Sequence, residues 1–168
     1  PAHAIAPPKL PPINTKDKDR CVPKSSAMGQ ANATRDKLLD LRLCDLSNQN
    51  FSGFDIAGGI LENSKWDNAN LESVTMSKAY AVNASFKNVT FTNGILDRVA
   101  FDGSDLTGAV FANAVLSDST FEKSILTDTD FTQAAVGFSL QKQMCKNPTL
   151  NGENPKTHNP TRASLGCN

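Results

Sequence analysis

The chain has 168 residues, 17 basic and 17 acidic side chains, and a formal net charge of zero. That length is about one domain, the balanced charge lacks the basic excess of a nucleic-acid binder, and no apolar run approaches the ~20 residues of a membrane span. Charge is unevenly placed: residues 1–43 carry a net +4, residues 44–138 a net −7 and residues 139–168 a net +3, an acidic body between basic ends.

Residues 1–24 are Pro-rich and then charged (KDKDR). They read as an N-terminal arm without a core of its own, and an extended arm and plain disorder both fit this composition. The triplet Ala2-His3-Ala4 is of the kind a signal-type peptidase reads, which fits a mature chain beginning near a processing site. Residues 25–40, SSAMGQANATRDKLLD, read as a helix. Ser25 or Ser26 stands at the N-cap, and Ala27, Ala31, Thr34 and Leu38 lie on one narrow face.

From Cys44 to Phe138 the chain divides into blocks of five without an insertion. Late blocks read SDLTG AVFAN AVLSD STFEK SILTD TDFTQ, and the third residue of each is Leu or Phe. Leu41 extends the phase backwards, so the repeat covers residues 41–138. A period of five is neither the helical 3.6 nor the strand period of two. It suits a unit of about three extended residues and a two-residue corner. Positions 1 and 3 of a block then share a face and point inward, and position 2 points outward. Position 5 is mostly Asn, Gly or Asp (Asn48, Gly53, Gly58, Asn63, Asn68 and onward), residues that tolerate the left-handed conformation of tight corners. Four sides per turn give a coil of twenty residues, with stacked coils pairing in parallel ~4.8 Å apart and a right-handed sense expected. Solenoids need capped ends. The 25–40 helix is placed to cap the first coil. Residues 139–168 are expected to supply a short helix with Leu140 and Met144 facing the core, ended by Pro148, and then a tail.

The least regular stretch is VTMSK AYAVN. Ala81 is the only small residue at position 3, and Tyr80, the only tyrosine, sits at an outward position. Two readings stand: a local bulge with Tyr80 folded over the gap, or an exposed contact patch of Lys78, Tyr80 and Val82.

Four cysteines, Cys21, Cys44, Cys145 and Cys167, fit a disulfide framework in an oxidising compartment, with free buried thiols as the alternative. The shortest loops pair Cys21 with Cys44 and Cys145 with Cys167, each tying an end to the body. No catalytic group is assigned: both histidines, His3 and His158, lie in the ends, far from any nucleophile in the body. The outward carboxylates Asp55, Asp97, Asp102 and Asp105 suit pairing across coils. No metal or cofactor is expected.

The blocks SDLTG, ANLES and TDFTQ match A(D/N)LXX, and the chain on this ground resembles the pentapeptide-repeat proteins. That resemblance implies an all-β solenoid, a right-handed quadrilateral parallel β-helix. Stretches such as ANATRDKLLDLRLCD, MSKAYAVNASF and LQKQMC…LGC resemble the thylakoid-lumen branch of chloroplast members, which implies a lumenal location. The expectation is a non-enzymatic, monomeric interaction module or scaffold. Its expected partners are unidentified lumenal proteins, with neither nucleic acid nor membrane insertion. Two alternatives remain: a thiol-disulfide-regulated protein serving as a thioredoxin target, and, since some family members mimic duplex DNA, a topoisomerase inhibitor.

Overall fold

The computed structural model describes residues 5–24 and 38–168. Parallel β-bridges link residues twenty apart, in four columns. Asp40, Ile60, Tyr80, Ala100 and Thr120 form face 1; Asp45, Lys65, Ser85, Asp105 and Ile125 form face 2. Face 3 carries Asn50, Asn70, Thr90, Val110 and Asp130, and face 4 carries Asp55, Thr75, Ile95, Val115 and Ala135. The chain therefore winds as a four-sided coil whose sides are single-bridge strands.

Each block closes its own backbone hydrogen bonds, as residues 59–63 illustrate. The Gly59 N–H donates across the corner to Ile56 O at 3.0 Å, and Ile60 N–H to Leu39 O of the preceding coil at 2.8 Å. Leu61 N–H and Asn63 N–H donate to Tyr80 O and Val82 O of the following coil, at 2.8 and 3.1 Å. The corner itself falls at position 5. From Leu43 to Gln133 this position holds a positive φ in every block, from 56° at Asn83 and Arg98 to 75° at Gly53. Asn and Gly adopt that conformation readily, whereas Leu43, Lys78, Arg98, Lys123 and Gln133 are held in it against their preference.

The amide of position 4 explains the Asp or Asn at position 2. Asp45, Asn50, Asp55, Asn70, Asp105 and Asp130 each accept the N–H two residues ahead, at 2.9–3.1 Å. Such a turn is local and needs only a short acceptor side chain. Where position 2 is otherwise occupied, a neighbouring coil supplies the acceptor: Asp67 takes Lys87 N–H, and Asp102 takes Glu122 N–H, both at 3.0 Å.

Large position-3 side chains fill the interior. Phe91, Phe111 and Phe131 stack along face 3 with ring centroids 4.8 and 5.0 Å apart, and Phe101 stacks on Phe121 at 5.2 Å along face 1. Small position-1 residues sit beside them. Those that carry a hydroxyl turn it back on the main chain: Ser124 and Thr129 donate to Phe101 O and Leu126 O, both at 2.8 Å. Inward polar groups thus enter the core without an unpaired donor.

The bulge expected at Ala81 does not form. Ile60, Tyr80 and Ala100 pair in unbroken register and Asn83 turns its corner like its neighbours, while Ala81 is fully enclosed. The backbone hydrogen bonds run through the block whatever the size of its inward side chain. The proposed helix 25–40 lies outside the described residues except at 38–40. Those three are not helical, because Asp40 already pairs with Ile60 in the first coil.

At the other end the chain leaves the coil in helix α1, Phe138–Met144, with Met144 buried and Leu140 packed on the core. Pro148 follows, and a second helix, α2, covers Thr161–Leu165 and ends on Gly166 at φ 81°. This segment meets the exposed strand edge of the last coil. Thr149 Oγ1 accepts Leu126 N–H at 2.8 Å, Asn151 O accepts Asp128 N–H at 2.9 Å, and Ser164 Oγ accepts Phe131 N–H at 2.9 Å. A solenoid edge otherwise offers such donors to another chain.

Candidate functional site

Among the described residues, two of the four faces are covered by the chain's ends and two are not. Face 1 is covered by the arm: Ile5 and Leu10 pack, beside Val82 of the coil itself, on Ile60, Tyr80 and Ala100. The arm is held at two further points. Arg42, paired with Asp40 at 2.6 Å, donates from Nη2 to Pro11 O at 2.8 Å, and Arg20 Nη1 donates to Arg42 O at 2.6 Å. The Arg42 hydrogen bond holds the Asp40 carboxyl below its usual 3.8. Beyond Arg20 the Cys21–Cys44 disulfide, with a Cα separation of 5.5 Å, ties the arm to the first coil.

Tyr80 is consequently 9% exposed. The sequence reading of Lys78, Tyr80 and Val82 as one open contact patch is corrected on this point. Tyr80 does point outward, but two apolar arm residues lie over it. Val82 borders the same cluster, half-buried, whereas Lys78 stands at the corner, exposed and outside the cluster.

Face 3 is covered by the tail through hydrogen bonds. Asn154, fully buried, donates to Gly108 O at 3.2 Å and Asp128 O at 2.9 Å, and its Oδ1 accepts the N–H groups of Lys156 and Thr157. Lys156 reaches Asn88 O at 3.0 Å, and Asn159 donates to Asp130 at 3.0 Å. Burial pushes the Asp130 carboxyl up, but hydrogen bonds from Thr132 and Asn159 outweigh it and the net displacement is below 3.8. The Cys145–Cys167 disulfide, with a Cα separation of 5.6 Å, joins the end of α1 to the end of the tail. The Cys145–Cys167 pairing is the one expected from the sequence, whereas the hydrogen bonds of Asn154, Lys156 and Asn159 were not legible in a tail whose Asn-rich composition is that of a loose one.

Neither end covers faces 2 and 4 among the described residues. Face 2 is polar over most of its length, with Asp45, Lys65, Asp67, Lys87 and Asp105 interleaved and Lys87 3.7 Å from Asp105, and it ends in the exposed Ile125. Face 4 carries an apolar column, Ile95 at 46% and Val115 at 36% exposed, continued by Ala135. Its edge bears an Asp97–Arg98 ion pair of 2.8 Å, and Asp97 also accepts the Ser77 hydroxyl. A cleft of about 470 Å³ opens between the last coil and α1, lined by Phe121, Ile125, Leu140, Met144 and Pro148.

The outward carboxylates singled out from the sequence all have structural duties. Asp55, Asp102 and Asp105 accept backbone amides, and Asp97 accepts Ser77 and Arg98. Among the described residues no cluster of His, Cys, Asp or Glu is arranged to hold a metal ion, and no helix is long and apolar enough to cross a membrane.

Residues 61–93 and 95–133 match the model of the pentapeptide repeats, in eight copies. Over 73 residues the chain is 43% identical to the Thylakoid lumenal 17.4 kDa protein, chloroplastic, of Arabidopsis thaliana, a stretch that is 41% of this chain and 30% of that relative. The chain thus spans about a third of that relative's length. Among solved structures it is similar to a pentapeptide repeat protein of the Arabidopsis thaliana thylakoid lumen, at 26% identity and a TM-score of 0.42, covering 74% of this chain and 88% of that one. It is also similar to HetL, a pentapeptide repeat protein of the cyanobacterium Nostoc, at 21% identity and a TM-score of 0.46, covering 56% and 38%. Residues 61–93 and 95–133 are thus pentapeptide repeats, and the relative that the chain resembles over 73 residues is a protein of the chloroplast thylakoid lumen.

Proposed function

We propose that the protein is a non-enzymatic interaction module of the lumen, a rigid four-sided rod that presents faces 2 and 4 to other proteins. The single observation behind this reading is the division of the faces. The chain's own ends occupy faces 1 and 3, and among the described residues nothing covers the opposite pair, one mostly polar and one with a regular apolar column. Rigidity comes from backbone hydrogen bonds closed within and between neighbouring coils, and a rigid surface loses little conformational freedom on binding. The right-handed sense of the coil belongs to the same reading, since parallel crossovers favour it.

A DNA-mimic role is less well supported. Such a role calls for a long surface of one sign, whereas Lys65 and Lys87 interrupt the acids of face 2 and an apolar column runs down face 4. The test of the module reading is site-resolved crosslinking in isolated lumen, with photoreactive residues at positions 95 and 115 of face 4, or 65 and 85 of face 2. Discrete adducts from either face, lost on charge substitution of that face, are the expected result. Adducts equally distributed over all positions would contradict it.

A further inference from the structure

We propose that face 1 is a binding site for an extended, proline-rich peptide carrying a basic residue, occupied in cis by the chain's own residues 5–12, IAPPKLPP. This goes beyond the module reading, which concerns faces 2 and 4.

The argument starts from what the face offers. Ile60, Tyr80 and Ala100 make an outward apolar strip that a solenoid face does not need for its own folding, since the interior is filled by position 3. Their neighbours at position 4 are Arg42, Glu62, Val82, Asp102 and Glu122. Tyr80 therefore lies among acids, and burial together with the Glu62 and Asp102 charges raises its hydroxyl pKa. Arg42 is clamped by Asp40 and points a guanidinium N–H at a carbonyl.

The occupant matches each of these features. Ile5 and Leu10 supply the apolar contacts. Pro7, Pro8, Pro11 and Pro12 have no N–H, so laying this segment on side chains leaves few donors unpaired, and their restricted φ lowers the entropy of ordering. Pro11 offers the carbonyl that Arg42 takes. Lys9 places one positive charge between the two apolar residues, opposite in sign to the rim. Proline-rich ligands elsewhere dock on aromatic surfaces by the same logic.

The Cys21–Cys44 disulfide sets how strongly the arm competes. With it, Leu10 is tethered 11 residues from the anchor at Cys21; without it, and with the Arg20 hydrogen bond released, the next described residue bridged into the coil is Asp40, 30 residues away. Effective concentration falls as about the −3/2 power of tether length, so opening the bridge weakens the arm's competition roughly fourfold. Opening it with dithiothreitol breaks the S–S bond and forms two thiols, while the reductant closes to its cyclic disulfide.

The test is fluorescence anisotropy with a labelled IAPPKLPP peptide and the full chain. The oxidised chain is expected to bind weakly, because a tethered arm competes at an effective concentration on the order of 1 mM. An Ile5→Asp, Leu10→Asp chain, whose coil is untouched, is expected to bind at least tenfold more tightly. Reduction of the unsubstituted chain gives a gain of about fourfold. Peptides with Leu10→Asp or Lys9→Glu, which leave the protein unaltered, are expected to lose at least tenfold, as is a Tyr80→Ala chain that keeps its melting temperature. No binding to the arm-substituted chain, or binding indifferent to the peptide changes, would overturn the proposal.

Discussion

Faces 1 and 3 are both covered by a chain end, but by different chemistry. The arm lies on face 1 through two apolar side chains, one carbonyl taken by Arg42, and a disulfide. The tail lies on face 3 through a buried asparagine, a lysine and a second asparagine, and it also supplies acceptors for the edge of the last coil. Removing the arm would expose a modest apolar strip to water. Removing the tail would strand buried polar groups and open a strand edge, which costs more per residue. The comparison teaches that one covering is a ligand-like contact and the other a part of the fold.

The largest effect should come from the interior beneath face 3. Phe111 is stacked between Phe91 and Phe131 and fully buried. Phe111→Ala should cost about 3–5 kcal/mol in denaturant unfolding. The two disulfides then separate the faces. Their loops are nearly equal, at separations of 23 and 22 residues, and the chain-entropy model gives each about 3 kcal/mol. Cys145→Ser with Cys167→Ser should lose most of that. Cys21→Ser with Cys44→Ser should lose clearly less, because the freed arm regains native-state entropy without disturbing the coils. Equal losses by calorimetry would erase the distinction.

Next in size is the polar anchor. Asn154→Ala should cost about 1–3 kcal/mol, by leaving the amides of Lys156 and Thr157 and two carbonyls short of a partner. Leu10→Ala, by contrast, should cost under about 1 kcal/mol of coil stability, since its contact lies outside the coil. Acid should act on both ends, and least of all. Asp40 and Asp130 are held below 3.8 in the folded chain. Their stabilisation is therefore complete above the unfolded value and lost as pH falls through the lower folded one. Melting temperatures should be flat with respect to these groups from neutral pH down to about 5 and fall progressively below that, as pH passes the unfolded 3.8 and then the lower folded values.

The solenoid was legible because its signal is repeated in every block. Position 3 and position 5 recur without a slip, and both do what the letters imply: large residues inside, and corners at positive φ. Position 2 was read as merely outward. Its Asp and Asn turn out to hold the position-4 amide, a local hydrogen bond that the A(D/N)LXX spacing already encoded. The ends were less legible. The helix at Phe138–Met144 follows from Leu140 and Met144 at helical spacing, but the Asn154 anchor rests on contacts across 26 and 46 residues of chain and α2 on contacts across 17 to 33, none of which leaves a period. Tyr80 was recognised as unusual, and its outward direction was right. Its cover was hidden because two apolar residues in a Pro-rich stretch carry no indication of where they dock.

The central claim is that the arm is a releasable cover and the coil beneath it is complete without the arm. Tyr80 is the only tyrosine in the chain, so nitration by tetranitromethane reads that one face. The account predicts slow nitration of the oxidised chain and severalfold faster nitration of the Ile5→Asp, Leu10→Asp chain, with circular dichroism unchanged. Equal rates in the two chains, or loss of the β signal in the substituted one, would contradict it.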